Sequence, residues 1–124
     1  MKAFLQRHTI SFKHAGEGLF WALRTQPNFR IHFSLSTIAV LFGLWIGITR
    51  TEMLIIIFTI LLGLMGEMIN TSIEAMTDLI STEWHKEAKI AKDVGAGMML
   101  LAAIGAVIIA LYIFTPYVSG LVIQ

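Results

Sequence analysis

Three carboxylates and an amide share one face of a single stretch of chain. They are Glu67, Asn70, Glu74 and Asp78, within Glu67-Met68-Ile69-Asn70-Thr71-Ser72-Ile73-Glu74-Ala75-Met76-Thr77-Asp78. On a helix advancing about 100° per residue they fall at about 0°, −60°, −20° and +20°, a narrow stripe. The stripe follows Met53–Gly66, which is uncharged and rich in Ile and Leu, so it sits at or inside a membrane boundary. An acid near mid-bilayer costs about 2.5–3.5 kcal/mol, so such groups are kept where they pair, coordinate or react. Clustered carboxylates repel one another unless a cation or a proton lies among them. Their oxygens suit Mg²⁺, which takes one or two carboxylates together with phosphate oxygens and water. The bland alternative is a polar seam that glues helices by hydrogen bonds. One glutamate would fit that role; an amide and three acids on one face favour a functional site.

A second cluster, Glu83-Trp84-His85-Lys86-Glu87, is followed by Lys92-Asp93 immediately before another uncharged run. Taken alone, the first part reads as a solvated loop or short helix with mixed charges. Lys92 is more informative, because a lysine at that position can hold a phosphate, although lysines at membrane edges also snorkel toward water. No two histidines have zinc-ligand spacing and the chain has no cysteine, which argues against a zinc site and removes thiol and disulfide chemistry. Neither G-x-x-x-x-G-K-[ST] nor G-x-G-x-x-G is present, so nucleotide handling would need a different phosphate cradle. Gly63, Gly66, Gly95, Gly97 and Gly105 read as places of close helix approach.

The elements that must position these groups are membrane helices. The 124 residues make a single domain, 1–124, with 56% hydrophobic and 14% charged residues and a mean hydropathy of +0.78. A soluble domain of that size would leave much apolar surface wet. Three runs approach the roughly 20 apolar residues a spanning helix needs: 31–49, 53–80 and 94–114, the last closed by Pro116. Arg50-Thr51-Glu52 links the first two, and Ser81–Asp93 links the second to the third. Residues 8–26 read as an amphipathic surface helix. Ile10, Phe12, Ala15, Leu19, Ala22 and Leu23 can share one side of it, and Lys13, His14, Glu17 and Arg24 occupy others. Gln26-Pro27-Asn28 reads as the turn into the first span. The N-terminal 30 residues lack the apolar core of a signal peptide, so the N-terminus is expected to be retained.

Basic residues set the expected orientation. Five Lys or Arg precede the first span, three (Lys86, Lys89, Lys92) lie between the second and third, and one (Arg50) lies between the first and second. Three spans put the first two groups on one side, which the positive-inside bias makes cytoplasmic by eight to one. The stripe then faces the cytoplasm and its ATP, with the C-terminus outside.

With these residues in view, the chain resembles the small prokaryotic diacylglycerol kinase and undecaprenol kinase family. That family's signature has the form E-x-[LIVM]-N-[ST]-[SA]-[LIV]-E-x-x-V-D, and residues 67–78 match it except at Thr77, where the family carries Val. Glu83-Trp84-His85 is similar to the family's E-x-H element. Ala91-Lys92-Asp93, His14-Ala15-Gly16-Glu17-Gly18 and Asn28-Phe29-Arg30-Ile31-His32 extend the likeness over nearly the whole chain. The resemblance implies an all-α integral membrane fold: three transmembrane helices and an N-terminal amphipathic surface helix, assembled as a homotrimer with shared active sites. It also implies transfer of the γ-phosphoryl group of MgATP to a membrane lipid alcohol. Carried over by position, Glu67 matches the catalytic base, Asn70 a neighbouring polar site residue, and Glu74 a metal ligand. Asp78 joins the polar site, while Glu17, Glu83, His85, Lys92 and Asp93 match nucleotide-contacting positions. Gln26 stands where many members carry a second metal-binding Glu; its carbonyl can still ligate Mg²⁺ but brings no charge.

Phosphoryl transfer asks for positioning and charge neutralisation more than for covalent chemistry. Glu74 would hold Mg²⁺ and the phosphates near the cytoplasmic edge, Lys92 would add positive charge, and Glu67 would meet the lipid hydroxyl two turns deeper. The lipid is expected to be undecaprenol ahead of diacylglycerol, from Asn28–His32 and Leu79-Ile80. Nucleic acid is not expected as a partner. A small ion-coupled transporter or channel subunit also explains intramembrane acids, and so does a scaffold with polar interhelical glue. Neither accounts for Glu83–His85 and Lys92-Asp93.

Overall fold

Four helices follow one another: α1 (Lys2–Thr25), α2 (Pro27–Ile46), α3 (Arg50–Ile80) and α4 (Lys86–Val122). The computed structural model describes the backbone of residues 2–80 and 83–122 and the side chains of 11–80 and 83–120. Parts of two sequence readings lie outside these residues: positions 81 and 82 of the α3–α4 link, and the end of the tail. The side chain of Ile10, assigned to the apolar face of the surface helix, lies outside them too.

A single residue separates α1 from α2. Gln26 is extended (φ −96°, ψ 110°) and Pro27 opens α2. A proline forces the residue before it out of the helical region and needs no cap for an N–H it lacks, so Gln26-Pro27 breaks one helix and starts the next. The turn predicted over residues 26–28 is therefore tighter than expected, and Asn28 is already helical. Ala22 at the end of α1 and Phe29 at the start of α2 are buried where these helices meet. Phe12, Leu19, Phe20 and Trp21 remain exposed, so most of the apolar side of α1 is not covered by its own chain.

α2 ends at Gly47, whose φ of 75° and ψ of 41° are left-handed. The N–H groups of Gly47 and Ile48 both donate to the carbonyl of Gly43, each at 3.1 Å. The second is the six-to-one bond of a Schellman ending, and glycine fits its αL position without a Cβ penalty. Thr49 then caps α3. The Thr49 N–H and Oγ1 donate to Glu52 Oε2 at 2.8 and 2.6 Å, and the Glu52 N–H returns to Thr49 Oγ1 at 3.3 Å. This is a T-x-x-E capping box. The expected link at 50–52 is accordingly displaced to Gly47–Thr49: Arg50 and Glu52 belong to the first turn of α3, where an acid is favoured by the helix dipole.

Three helices are long and apolar enough to cross a membrane: α2, α3, and α4 as far as Gly120. At 1.5 Å per residue, 20 residues give α2 about 30 Å, one hydrocarbon thickness. The 31 residues of α3 and 37 of α4 extend further, to about 46 and 55 Å. The surplus of α3 and the first turns of α4 lie on the side of the α3–α4 link, where the polar residues are. Within the expected link 81–93, residues from Lys86 onward are the first turns of α4, with Lys89 paired to Asp93 one turn on. Pro116 does not close α4, which runs through it to Val122. An internal proline forfeits one backbone bond, a loss that membrane helices absorb through neighbouring groups. Here the segment is also tied down, since Tyr117 Oη donates to Glu52 Oε2 at 2.6 Å.

The buried hydrophobic residues are few: Ala22, Phe29, Ile56, Met99 and Ile113. The outer faces of α2, α3 and α4 carry Leu, Ile, Phe and Trp side chains, as lipid-facing helices do.

Candidate functional site

α3 packs most extensively on α4 and next on α2, and the polar stripe is divided by that packing. Among the described residues Glu67 and Asn70 are the buried polar ones, at 3% and 5% exposure. Glu74 is half-buried and Asp78 exposed. Along α3 the stripe thus runs from a dry end at Glu67 to a wet end at Asp78. That gradient follows from helix geometry. Residues 66 and 70 lie where α3 and α4 are pressed together, Glu67 is buried beside them, and residues 74 and 78 lie toward the link where the helices leave the apolar zone.

The inner part is a connected unit. Asn70 Nδ2 donates to Glu74 Oε1 at 3.0 Å, which orients the carboxylate one turn above. Asn70 Oδ1 is buried without a hydrogen-bond partner. His32 of α2 and Glu74 are the charged or titratable groups whose fields reach Glu67. Two close approaches bring α4 against this unit. A side chain at Gly66 would meet Met99 Sδ at 3.1 Å, and one at Gly95 would collide with Asn70 Oδ1.

The outer part consists of ion pairs. Lys92 is paired with Asp78 across the link, and Lys89 with Asp93 along α4. Adjacent in sequence, Lys92 and Asp93 therefore face different partners. His85 lines a hollow of ≈ 500 Å³ with Thr77, Ile80 and Glu87. Glu83 is exposed. The carboxylate of Glu17 is engaged within α1, with His14 Nδ1 at 3.0 Å and Lys13 Nζ at 3.9 Å. Gln26 Nε2 reaches Thr25 Oγ1 at 3.5 Å.

Beneath Glu67 an apolar cleft of ≈ 300 Å³ runs between α2, α3 and α4. His32 and Ser36 line it on α2, Ile56 and Gly63 on α3, and Met99 and Ala103 on α4. Gly63 is one turn from Glu67, so the cleft comes to within one helical turn of the acid on its apolar side. His32 was passed over as a site residue in the sequence reading. It is the one titratable group of its run, yet sequence alone does not say that it lines this cleft.

Three membrane-length helices enclosing a buried acid–amide unit define a polytopic membrane protein with its polar site at the edge of the apolar zone. Comparison with known proteins supplies the class. Residues 13–114 match the family model described as prokaryotic diacylglycerol kinase. The chain is 37% identical to an undecaprenol kinase of Bacillus subtilis, over 90% of this chain and 91% of that one. It is 34% identical to a diacylglycerol kinase of Synechocystis, over 92% of this chain and 66% of the relative, and 30% identical to that of Escherichia coli K12, over 77% and 78%. The chain belongs to the prokaryotic diacylglycerol kinase family, and with it to the membrane lipid kinases.

Proposed function

We propose that this chain transfers the γ-phosphoryl group of MgATP to the hydroxyl of a membrane lipid alcohol, with Glu67 as general base. The observation that carries the reading is the placement of Glu67. It is buried at 3% exposure, one turn from the Asn70–Glu74 pair on one side and one turn from Gly63 of the apolar cleft on the other. A lipid whose chain occupies the cleft brings its hydroxyl to the acid, and a nucleotide entering from the link end brings its phosphates to Glu74.

The step needs one proton acceptor. Glu67 takes the hydroxyl proton as the lipid oxygen attacks the γ-phosphorus and the bond to the β,γ-bridging oxygen breaks, releasing ADP. The low-dielectric surroundings strengthen whatever charges are aligned there. Among the described residues no three His, Asp or Glu form a group able to hold a metal ion. A single half-buried carboxylate, Glu74, held by the Asn70 amide that donates to it, fits an ion that arrives with the nucleotide, since Mg²⁺ commonly takes one or two carboxylates plus phosphate oxygens. Mg²⁺ bound there would neutralise phosphate charge as it develops. Gln26 is the amide candidate for a further ligand, and Glu17, Glu83, His85, Lys92 and Asp93 are the candidates for nucleotide contacts.

Undecaprenol is the favoured acceptor. The relative named undecaprenol kinase matches over nine-tenths of both chains, and the cleft between the helices is lined mainly by apolar residues, as a hydrocarbon chain requires. The exposed apolar faces of one chain and the uncovered side of α1 are compatible with a homotrimer in a membrane. The distribution of basic residues, eight on the link side against one, favours a plasma-membrane topology with N-terminus and site cytoplasmic.

The test is transfer of labelled phosphate from ATP into the organic phase by purified protein in detergent micelles. Undecaprenol, diacylglycerol and no lipid are offered in parallel, each with and without Mg²⁺. Mg²⁺-dependent labelling of undecaprenol is expected. Labelling of diacylglycerol alone would reassign the substrate, and absence of labelling with all lipids would overturn the kinase reading.

A further inference from the structure

We infer that Gly95 is a positioning residue for the reaction, because its missing side chain is the seat of Asn70. Resting on the reading above, the inference extends the site from α3 to the backbone of α4.

Asn70 is 5% exposed, its Nδ2 is committed to Glu74, and its Oδ1 has no partner. A buried carbonyl oxygen without a donor is costly, so something must hold it in place. The atom nearest a Cβ built on Gly95 is that same Oδ1, at a separation that no real Cβ tolerates, and the next is Asn70 Cγ at 3.5 Å. The oxygen therefore points at the Cα of Gly95, where a Cα–H supplies a weak contact in place of a conventional hydrogen bond. Any residue larger than glycine fills the space the amide occupies. Asn70 must then swing away or α4 must move off α3, and both break the geometry that orients Glu74.

Other glycines on α4 lack this role. A Cβ at Gly97 or Gly105 meets nothing within 4 Å, and one at Gly66 on α3 meets the flexible end of Met99. The requirement at position 95 is thus specific and not a general property of small residues on this helix.

The test is a double-mutant cycle of Gly95→Ala and Asn70→Ala, with Gly97→Ala as the control on the same helix, read by Tm in detergent and by lipid phosphorylation against Mg²⁺. Gly95→Ala is expected to lower kcat by about 10–100-fold, as a misplacement of about 1 Å does, and to raise the Mg²⁺ concentration giving half-maximal rate. Gly97→Ala should do neither. Gly95→Ala should also lower Tm in the Asn70 protein and not in the Asn70→Ala protein, because removing the amide removes the obstruction. That comparison needs no activity and survives even if Gly95→Ala alone folds poorly. Equal loss of Tm in both backgrounds, or a Gly95→Ala protein that behaves like Gly97→Ala, would overturn the inference while leaving the kinase reading intact. A wild-type protein that phosphorylates no lipid would overturn both.

Discussion

Asp78 in the last turn of α3 and Lys92 in the second turn of α4 form an ion pair that ties the two helices together across their link. The aspartate side chain is 67% exposed and the lysine 39%, so water screens the pair and it is worth about 0–1 kcal/mol. A nucleotide phosphate carries more charge and can take Lys92 from Asp78 at little cost. Asp78→Asn is expected to lower Tm by at most about 5 °C. Lys92→Met should raise KM for ATP about tenfold or more, as loss of a charge-assisted hydrogen bond of about 1.5–3 kcal/mol requires. Thermal melts and ATP titrations of both variants check this. An equal rise in KM from both would mean that Asp78 itself meets the nucleotide.

Glu67→Gln keeps the size and shape of a buried side chain and removes the proton acceptor. The expected result is a fall in kcat of about 10²–10⁴-fold, the usual contribution of general base catalysis. Equilibrium binding of a non-hydrolysable ATP analogue should stay unchanged. Lost binding with preserved turnover would remove Glu67 from the base position.

Glu74→Gln separates charge from packing. The substituted amide oxygen can still accept from Asn70 Nδ2, the bond that Glu74 accepts at 3.0 Å, so local structure should survive. The Mg²⁺ concentration for half-maximal rate is expected to rise about tenfold, in line with the sensitivity of metal sites to their immediate ligands. A Mg²⁺ titration superimposable on that of the wild type would rule out Glu74 as a metal group.

Tyr117→Phe tests the far end of the molecule. It removes the hydroxyl that bonds Glu52 in the capping box of α3, about 22 Å along the helix from Glu67. Tm should fall while kcat and KM stay the same. A change in kcat without a change in Tm would show that the two ends are coupled and contradict a purely structural role for this contact.

Several features were legible because they depend on neighbours in sequence. The three membrane helices follow from long apolar runs, and the break at Gln26-Pro27 from the backbone limits of proline. The stripe of Glu67, Asn70, Glu74 and Asp78 follows from helical periodicity. Element ends were read less well, for local chemical reasons. Arg50 and Glu52 look like a charged loop, but with Thr49 they start a helix. Lys86–Asp93 looks like a polar link, but its i,i+4 pairing supports the first turns of α4. Pro116 looks like a stop, yet the helix passes through it and is held from the side by Tyr117.

Sequence by itself determined the helices, their membrane character and the angular alignment of the site residues, because hydrophobic length and a 3.6-residue period are properties of one segment at a time. Tertiary structure alone decided that Glu67 and Asn70 are buried, Asn70 against Gly95 of α4, while Asp78 pairs with Lys92. It also decided that His32 lines the apolar cleft with Gly63, one turn from Glu67, and that Gly95 receives the amide of Asn70. The physical reason is that periodicity sets where a side chain points on its own helix. What covers it, and how closely, depends on the size of residues on a different helix, such as the absent side chain at position 95.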